Sequence, residues 1–464
     1  MTVQERVQKR RIGIIGLARS GMAAARLIVR LGGIPLASDI RPATDLVPEL
    51  EELQALGVTF ETGGHTERLL EADYLILSPG VPRSIEIVRK AYDIGLPIFS
   101  EIELASWFCR GRIIAITGSN GKTTTTTLTG EILARAGIPH RVCGNIGTPF
   151  ADAVTDIPED GFAVLEVSSF QLELIEEFAP HVAMVLNLTP DHLDRYDDFN
   201  EYRQTKYNIT LNQTENDYLI LNADDTVIDR NNIETRAQKL FFSIRRALTA
   251  GVAQRGETLV GSVHGKEYNL VDVGRVRMPG PHNLQNAAAA ALAGLLVGAT
   301  SETITATLEA FPGVEHRLED VTTVAGIRFV NDSKATNVDS VKFALLSIDT
   351  PIYLIAGGRD KAGDYEPLVE YGRNRVKGVI LIGEAREKMF DALARAFPLQ
   401  FAGSMDEAVE KAFAAASPGD TVLLSPACAS FDMFKNFEER GRVFKNAVKA
   451  LRAGQDRPQT EPPE

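Results

Sequence analysis

Residues 112 to 133, RIIAITGSNGKTTTTTLTGEIL, have the pattern of a hydrophobic strand, a glycine turn and the start of a helix in immediate succession. The isoleucine-rich run 113–116 favours a buried strand. Gly118 and Gly121 allow backbone conformations that a Cβ atom would disfavour. An anion at the following helix start would meet unpaired backbone N–H groups and the positive end of the helix dipole. The stretch therefore predicts a phosphate-binding loop.

Two polar side chains complete this prediction. Lys122 is expected to reach the terminal phosphates of a nucleotide, and the Thr123 hydroxyl is expected to hold a magnesium ion. Only two residues separate the two glycines, whereas the general phosphate-loop pattern has four, so the motif is a shortened variant. A surface turn that happens to end in Lys-Thr is the alternative interpretation.

The composition limits the class of protein. A chain of 464 residues is too long for one ordinary core, so we expect two to four domains, with three as the first choice. The charged fraction of 24% and the hydrophobic fraction of 44% are typical of a soluble globular protein. No apolar run reaches the length of a membrane span, and the N-terminus lacks the apolar core of a signal peptide. These features predict a cytoplasmic protein without membrane insertion.

Charge and cysteine content exclude further classes. Cys109, Cys143 and Cys428 are too few and too scattered for a zinc site or a disulfide framework. The net charge of −13 argues against a nucleic-acid-binding protein. Small anionic ligands are not excluded, because local sites hold them.

Residues 11 to about 105 alternate strand-like runs with helical stretches, as in a doubly wound parallel sheet. The stretch GLARSG, 16–21, resembles a dinucleotide fingerprint, but Ala18 stands where the second glycine would let a pyrophosphate approach. An NAD site there is an alternative. Asp39 ends the second strand and either binds a ribose or base edge or caps a turn. Ser78 and Gly80 follow the fourth strand, at an edge where such sheets bind ligands.

The second segment, about 106 to 312, adds three candidates to the phosphate loop. Glu166 ends the strand of FAVLEVSSFQLE, where it either binds a magnesium ion or serves as a capping or salt-bridged glutamate. The stretch NLTPDHLDRY places Asp191, His192 and Asp194 in one loop. Lys206 follows in a helical stretch, and its spacing alone is equally consistent with a solvated helix lysine.

Two further features lie between residues 215 and 296. Residues 215 to 280 contain short strands and turns that are expected to extend the sheet as hairpins. An alanine-rich helix is then predicted after Gly280, with Asn283 and Asn286 on one face of its first turn. These asparagines are expected either to bond a purine edge or, for Asn283, to cap the helix.

From Gly313 onward strands and helices alternate again, which predicts a third parallel α/β unit. Several polar or aromatic residues follow its strands, where such sheets place ligands: Asp332, Lys334, Thr336, Lys361, Ser425 and Phe431. Two lysines and two hydroxyls in these positions suit a dicarboxylate. The tail GQDRPQTEPPE is polar and proline-rich and is expected to be disordered.

Read in order, these motifs resemble those of the Mur ligase family of peptidoglycan synthesis: TGSNGKTT, EVSSFQLE, NLTPDHLDRY, HNLQN, EHRLE, NDSKATN, GGRDK and LSPACASFDMF. The resemblance extends over nearly the whole chain. The stretches SPGVP and SFDMF are most similar to the members that add D-glutamate. A sibling ligase that adds a different amino acid is the alternative.

The resemblance implies an α/β protein of three domains. These are an N-terminal Rossmann-like domain that binds the UDP substrate (1–105), a central ATPase-like domain (106–312) and a C-terminal Rossmann-like domain that binds the amino acid (313–464). It implies ATP and Mg²⁺ as cofactors and UDP-N-acetylmuramoyl-L-alanine and D-glutamate as substrates. We expect a monomer.

The resemblance also implies roles for individual residues. Catalytic roles fall to Lys122, His192, Lys206, Asn145 and Arg317. Contacts to ATP fall to Gly118, Ser119, Asn120, Gly121, Lys122, Thr123, Thr124, Asn283, Asn286, Arg317 and Asp332. Magnesium ligands are Thr123, Glu166, His192 and Lys206, the last as a carbamate. The UDP substrate is assigned to Ser20, Asp39, Arg41, Ser78 and Gly80, and D-glutamate to Thr336, Lys361, Ser425 and Phe431.

The implied reaction is an ATP-dependent coupling of a carboxylate to an amine through an acyl phosphate. An NAD-dependent oxidoreductase built on the N-terminal fold is the alternative from a different class. GSNGKTT together with Glu166 favours the ligase, whereas Ala18 in the fingerprint disfavours the dehydrogenase.

Overall fold

The computed structural model describes residues 2–191, 195–231, 233–278, 280–360 and 363–455. The chain divides into two compact units. The first contains the residues up to Val276 together with Gln285–Phe311, and the second contains Arg277–Leu284 and the residues from Pro312 onward.

The strands of the first unit are β1 (Arg11–Ile15), β2 (Ile34–Asp39), β3 (Thr59–Thr62), β4 (Tyr74–Leu77), β5 (Ile98–Ser100), β6 (Arg112–Thr117), β7 (His140–Gly144), β8 (Phe162–Glu166), β9 (Val182–Val185), β10 (Tyr218–Asn222), β11 (Gln238–Ser243), β12 (Gly251–Arg255), β13 (Thr258–Val263) and β14 (Lys266–Asp272). Its α-helices are α1 (Arg19–Arg30), α2 (Val47–Ala55), α3 (Glu86–Asp93), α4 (Glu101–Ser106), α5 (Lys122–Arg135), α6 (Phe150–Ala153), α7 (Ser169–Leu172), α8 (Phe199–Tyr207), α9 (Pro281–Leu296) and α10 (Ser301–Ala310). Helix α9 belongs to the first unit from Gln285 onward, and its first residues belong to the second unit.

The N-terminal sheet is parallel, with strand order β3-β2-β1-β4-β5 among the described residues. Its central strand β1 is buried from Ile12 onward, which matches the apolar run of the sequence. Strand β3 is the one that the hydrophobic pattern does not predict, because its residues are exposed or half-buried at the sheet edge. The predicted doubly wound sheet is confirmed.

The central sheet has the order β14-β13-β12-β11-β10-β9-β6-β8-β7 among the described residues. It is parallel from β7 through β12, and β12, β13 and β14 extend it as antiparallel hairpins, as predicted. Strand β6 lies between β9 and β8. The loops that follow these three strands therefore meet at one edge of the sheet.

Helix α5 begins directly after the phosphate loop and contains five consecutive threonines. Threonine is a mediocre helix former. Burial compensates here, since Thr123 through Thr126 are all buried, and the Thr129 hydroxyl donates to the Thr125 carbonyl at 2.7 Å. The threonines thus fix the start of the helix against the core.

The N-terminal and central sheets share one compact unit and one continuous apolar core. Helix α6, from the central segment, packs against α1 and α4 of the N-terminal segment. Arg26 of α1 donates two hydrogen bonds to the Asp152 carboxylate of α6, at 2.8 and 2.7 Å. These contacts join the N-terminal and central segments through their helices. The two predicted boundaries between the three domains stay a prediction.

The second unit contains the strands β15 (Glu319–Val324), β16 (Ile327–Asn331), β17 (Ile352–Gly357), β18 (Val376–Ile382), β19 (Leu399–Phe401) and β20 (Thr421–Leu424). Its further helices are α11 (Val338–Ser347), α12 (Pro367–Gly372), α13 (Arg386–Leu393), α14 (Met405–Ala415) and α15 (Phe437–Gln455). The sheet order is β15-β16-β20-β17-β18-β19, with β15 antiparallel at one edge and the described remainder parallel. The predicted parallel α/β unit is confirmed.

Among the described residues, we find no helix with both the length and the apolar character that a bilayer span requires. The predicted disordered tail falls mostly beyond residue 455, outside the described residues.

Candidate active site

The phosphate loop lies between β6 and α5, as predicted. Gly118 has φ +148° and Gly121 has φ +83°, which are conformations that favour glycine. A Cβ atom at Gly121 would also collide with the Asn286 side chain of helix α9. Asn286, which is buried, additionally accepts a hydrogen bond from the Thr125 hydroxyl at 3.3 Å. Asn286, which is itself a predicted ATP contact, therefore lies directly against the predicted phosphate-binding loop.

Asn187 holds the phosphate loop from the neighbouring strand. Its side-chain oxygen accepts from the Asn120 backbone N–H at 2.8 Å, and its side-chain nitrogen donates to the Asn120 carbonyl at 2.9 Å. The Ser119 N–H donates to the Asn187 carbonyl at 2.9 Å. Asn187 is not among the residues predicted from the sequence. Its position directly after the apolar run of β9 is the signal that could have identified it.

Two lysine side chains converge on the same loop. Lys122 Nζ donates to the carbonyl oxygens of Gly118 and Ser119, both at 2.8 Å. Lys206 Nζ, from helix α8, donates to the Gly118 carbonyl at 3.1 Å. The two Nζ atoms therefore share the Gly118 carbonyl as an acceptor. This places both predicted catalytic lysines at the loop.

Lys206 is only 2% exposed, so the interpretation of a solvated helix lysine is wrong. Burial, together with the neighbouring charge of Lys122, lowers the pKa of Lys206 well below its ordinary value. A lysine with a lowered pKa has a larger fraction of neutral, nucleophilic amine near neutral pH.

Thr123, Glu166 and Asn145 form a connected group beside the lysines. The Thr123 hydroxyl donates to Glu166 Oε2 at 2.7 Å, and Asn145 Nδ2 donates to Glu166 Oε1 at 2.9 Å. Glu166 is 2% exposed and ends strand β8, as predicted. A buried carboxylate next to a hydroxyl offers the oxygen ligands that Mg²⁺ prefers. The residues present therefore fit a magnesium ion at this position.

The remaining residues predicted to contact ATP or magnesium in the first unit lie in or near the phosphate loop, or fall outside the described residues. Ser119, Asn120 and Thr124 are buried in or just after the loop. Within the described part of the chain, the Thr124 hydroxyl has no hydrogen-bond partner. His192 and Asp194 lie outside the described residues.

Tyr202 connects helix α8 to the phosphate loop, and the sequence analysis missed it. Its hydroxyl lies 3.1 Å from Ser119 Oγ, and Lys206 Nζ lies 4.7 Å from the centroid of its ring. Burial raises the pKa of the Tyr202 hydroxyl above its ordinary value, so this group is a neutral hydrogen-bonding partner. Its position one helical turn before Lys206 is the available sequence signal.

The predicted UDP region lies at the edge of the N-terminal sheet. Asp39 accepts backbone N–H bonds from Leu17 at 2.7 Å and from Arg41 at 2.9 Å, so its carboxylate caps a turn. The role in binding a ribose or base edge stays a prediction. Burial opposes ionisation of this carboxyl, but hydrogen bonds from Arg41 and the backbone hold its pKa below the usual value. The Ser78 hydroxyl donates to the Gly16 carbonyl at 2.7 Å. Ser78 therefore joins the two glycine-containing loops of this sheet.

The two remaining UDP candidates lie in those same loops. Ser20 is half-buried in the first turn of α1, and Gly80 is exposed after β4. No described atom lies within 4 Å of a Cβ atom built on Gly80.

In the second unit, Asp332 and Ser425 lie at the ends of the adjacent strands β16 and β20. The Ser425 hydroxyl donates to Asp332 Oδ2 at 2.9 Å, and the Leu318 N–H donates to Oδ1 at 3.2 Å. Burial raises the pKa of Asp332 to about 7, although Arg317 favours its charged form. The Arg317 Nε atom is buried and lacks a hydrogen-bond partner within the described residues.

The other candidates of the second unit are more exposed or not described. Thr336 is half-buried and Phe431 is 63% exposed. Asn283 is buried in the first turn of α9. Lys361 lies outside the described residues.

Arg440 of α15 is a buried residue that the sequence analysis missed. Its guanidinium donates to the carbonyl oxygens of Ser333, Cys428 and Ala429 at 2.7, 3.1 and 3.3 Å. It therefore joins the loops after β16 and β20. No spacing signal marks it, because an arginine in the charged stretch NFEERGRVF has the pattern of an exposed helix face.

The chain matches three family descriptions in succession. These are the Mur ligase MurD-like N-terminal domain over residues 10–100, the Mur ligase middle domain over residues 116–294 and the Mur ligase glutamate ligase domain over residues 316–428.

Curated relatives match over nearly their whole length. The chain is 44% identical over 463 residues to a UDP-N-acetylmuramoylalanine–D-glutamate ligase of Salinibacter ruber, which covers 97% of this chain and 100% of that protein. It is 42% identical over 448 residues to the ligase of the same name from a Thermoanaerobacter species, which covers 96% and 99% of the two chains.

Solved structures share the fold. UDP-N-acetylmuramate-alanine ligase from Thermotoga maritima aligns with a TM-score of 0.60 at 18% identity, covering 95% of this chain and 99% of that chain. The MurF ligase of the same organism, solved in complex with ADP, aligns with a TM-score of 0.60 at 17% identity, covering 90% and 95%.

Proposed function

The chain belongs to the Mur ligase family, and we infer that it is the ATP-dependent acid:amino-acid ligase that adds D-glutamate to UDP-N-acetylmuramoyl-L-alanine in peptidoglycan precursor synthesis. The observation that carries this inference is the full-length similarity, at 44% and 42% identity, to two ligases of that name. The phosphate loop with Lys122, Thr123 and Glu166 supports it independently.

The chemistry explains why ATP is required. A carboxylate is a poor acyl donor because oxide is a bad leaving group. Attack of the alanyl carboxylate on the γ-phosphorus of ATP gives an acyl phosphate and ADP. The amine of D-glutamate then attacks the acyl carbon, and the tetrahedral intermediate collapses to an amide and inorganic phosphate.

Lys122 is suited to the first step. In the structure its ammonium group donates hydrogen bonds to the carbonyl oxygens of Gly118 and Ser119. We propose that it turns toward the nucleotide phosphates, where it offsets charge that spreads over the phosphoryl oxygens. Asn286, packed against Gly121, and the loop residues Ser119 and Asn120 are proposed to hold the nucleotide beside it.

We propose that Thr123 and Glu166 hold one magnesium ion, and that His192 and a carbamylated Lys206 serve a second. Magnesium, when bound, offsets the repulsion between the attacking carboxylate and the phosphates, which costs several kcal/mol in a partly dry site. The lowered pKa of Lys206 supports its modification, because carbamylation requires the neutral amine. Asn145, which donates to Glu166, is proposed to orient that carboxylate and the acceptor substrate.

The remaining assignments stay proposals. Residues Ser20, Asp39, Arg41, Ser78 and Gly80 would hold the UDP substrate. Residues Thr336, Lys361, Ser425 and Phe431 would hold D-glutamate. Asn283, Arg317 and Asp332 would contact ATP, with Arg317 also stabilising the migrating phosphoryl group.

The direct test is phosphate release from ATP. We expect release only when UDP-N-acetylmuramoyl-L-alanine and D-glutamate are both present. Replacing the pair by UDP-N-acetylmuramate and L-alanine separates this function from that of a sibling ligase. Carboxyl oxygen-18 of the acceptor should appear in the released phosphate, and its absence would contradict the acyl phosphate.

A further inference from the structure

Arg195 lies in the loop after β9 and joins three separate segments of the first unit. Its Nη1 donates to the carbonyl oxygen of Pro79 at 2.6 Å, and its Nη2 donates to Glu173 Oε2 at 3.0 Å. Its guanidinium carbon lies 4.0 Å from the centroid of the Phe170 ring. The side chain is 16% exposed and that of Glu173 is 5% exposed, so this ion pair is largely withdrawn from water.

On one side, these contacts lead to the phosphate loop. Glu173 Oε1 accepts from the Tyr196 hydroxyl at 2.8 Å, so both oxygens of this carboxylate are bonded. The rings of Tyr196 and Tyr202 meet edge to face with centroids 5.4 Å apart. The Tyr202 hydroxyl then reaches Ser119 Oγ at 3.1 Å. Side-chain contacts therefore run without a gap from Arg195 to the phosphate loop.

On the other side, they lead to the loop proposed to hold the UDP substrate. Pro79 lies between Ser78 and Gly80, and the Ser78 hydroxyl donates to the Gly16 carbonyl of the GLARSG loop. Arg195 is thus bonded to the backbone of one loop that we assign to the UDP substrate. Its other partner, Glu173, is connected through Tyr196 and Tyr202 to the loop that we assign to ATP.

We propose that Arg195 is a positioning residue that couples occupation of the UDP-substrate loop to the geometry of the phosphate loop. The inference rests on the proposed function, because it takes the two loops as the sites of the two nucleotides. A substrate that fixes the 78–80 loop fixes the Pro79 carbonyl, and Arg195 transmits that position to Glu173, Tyr196 and Tyr202. Chains of packed and hydrogen-bonded side chains can carry coupling of this kind, and these residues form such a chain.

The side chain has to be arginine for a geometric reason. The planar guanidinium donates in two directions at once and stacks on an aromatic face, whereas a lysine ammonium is a point charge. Lysine at this position retains the charge beside Glu173 but cannot hold Pro79 and Phe170 at the same time. The variant Arg195→Lys therefore tests positioning with little loss of charge pairing.

Arg26 provides a matched control. It too is a forked arginine that joins N-terminal and central segments, with Asp152 and Glu52 as partners at 2.7 Å. Its contacts run between helices rather than between the two loops. We expect Arg26→Lys to lower the melting temperature about as much as Arg195→Lys does, and to leave the coupling between the UDP-substrate loop and the phosphate loop unchanged.

The experiment measures the affinity for a non-hydrolysable ATP analogue by calorimetry, with and without saturating UDP, in wild type, Arg195→Lys, Glu173→Gln and Arg26→Lys. Steady-state kcat and the KM values for the UDP substrate and ATP are measured alongside. We expect UDP to change the analogue affinity in wild type and in Arg26→Lys, and the effect to be lost in Arg195→Lys and Glu173→Gln. We also expect kcat to fall about ten-fold in Arg195→Lys at a nearly unchanged KM for ATP.

Three results would overturn the inference. The first is that UDP changes the affinity for the ATP analogue as much in Arg195→Lys as in wild type. The second is that this effect of UDP is lost in Arg26→Lys as well. The third is that UDP does not change the affinity in wild type. The proposed function fails separately, if wild-type protein releases no phosphate with its two substrates. The calorimetric comparison requires no turnover and gives its result in either case.

Discussion

The Thr123 hydroxyl donates a hydrogen bond of 2.7 Å to the Glu166 carboxylate, which comes from a strand 43 residues later in the chain. Strands β6 and β8 are direct neighbours, so the residues that follow them are brought together. This pair places two candidate oxygen ligands for Mg²⁺ beside the phosphate loop.

Removing the Thr123 hydroxyl should weaken magnesium binding. We expect Thr123→Val to raise the Mg²⁺ concentration for half-maximal phosphate release by about ten-fold, since one ligand or its orienting hydrogen bond is lost. Thr123→Ser keeps the hydroxyl and is the matched control. Equal magnesium dependence in the valine and serine variants would contradict a ligand role.

Lys122→Ala should abolish turnover. Loss of the cation that we propose to stabilise the transferring phosphoryl group is expected to lower kcat by about a thousand-fold, while the melting temperature stays close to that of wild type. Lys90→Ala removes a surface lysine that pairs with Glu67 and Glu86, and it controls for the loss of charge. Near-normal phosphate release by Lys122→Ala would remove this residue from the mechanism.

Lys206→Ala should also be inactive, yet it should regain part of its rate in acetate. A small carboxylate can enter the space of the missing side chain and replace the proposed carbamate. Lys122→Ala serves as the control, because its defect is a missing cation that acetate cannot restore. Rescue is measured as phosphate release against acetate concentration at constant ionic strength. Full activity of Lys206→Ala without acetate would exclude the carbamate.

Gly121→Ala should weaken binding of an ATP analogue more than an alanine substitution at another glycine with a similar positive φ. Gly121 and Gly137 have φ of +83° and +69°, so alanine is strained at both by about 1–3 kcal/mol. At Gly121 the new methyl group would also collide with Asn286, whereas no described atom lies within 4 Å at Gly137. We expect Gly121→Ala to lose ATP-analogue binding and Gly137→Ala to keep it. Equal binding in the two variants would contradict the packing of Asn286 on the loop.

Glu101 should make stability depend on pH. It is fully buried in α4, and burial raises its pKa from 4.5 to about 7, although the Ala151 backbone N–H favours the charged form. Within the described residues its Oε2 atom has no hydrogen-bond partner. The folded state therefore retains a proton that the unfolded state has lost. The contribution of Glu101 to the free energy of unfolding falls by about 1.4 kcal/mol per pH unit between those two pKa values and is constant above the second.

Glu101→Gln removes this titration, so the free energy of unfolding should fall less steeply between pH 5 and 7 than in wild type. Urea denaturation at several pH values measures the slope. Glu51→Gln removes one negative charge from the exposed side of α2 and controls for net charge. An equal change of slope in the two variants would contradict the assignment to Glu101.

Those parts of the candidate site whose chemistry is local could be predicted from the order of residues alone. The glycine turn between an apolar strand and a helix predicted the phosphate loop, because few other structures accommodate that order of residues. Glu166 was predicted at the end of a buried strand, and parallel strands bring such ends to one edge. The three α/β sheets were likewise readable from alternating strand and helix patterns.

The other features of the site depend on how the helices and strands pack together. Spacing left Lys206 equally consistent with a solvated lysine, and its burial comes from α8 packing on the loop after β6. Arg195 and Arg440 had no recognisable pattern, because each acts through partners distant in sequence. Asn187 was marked only by its position after the apolar run of β9, and its partner Asn120 is also distant in sequence. A periodic pattern reports which face of an element is apolar, whereas the partner that a buried polar side chain meets depends on how the elements assemble.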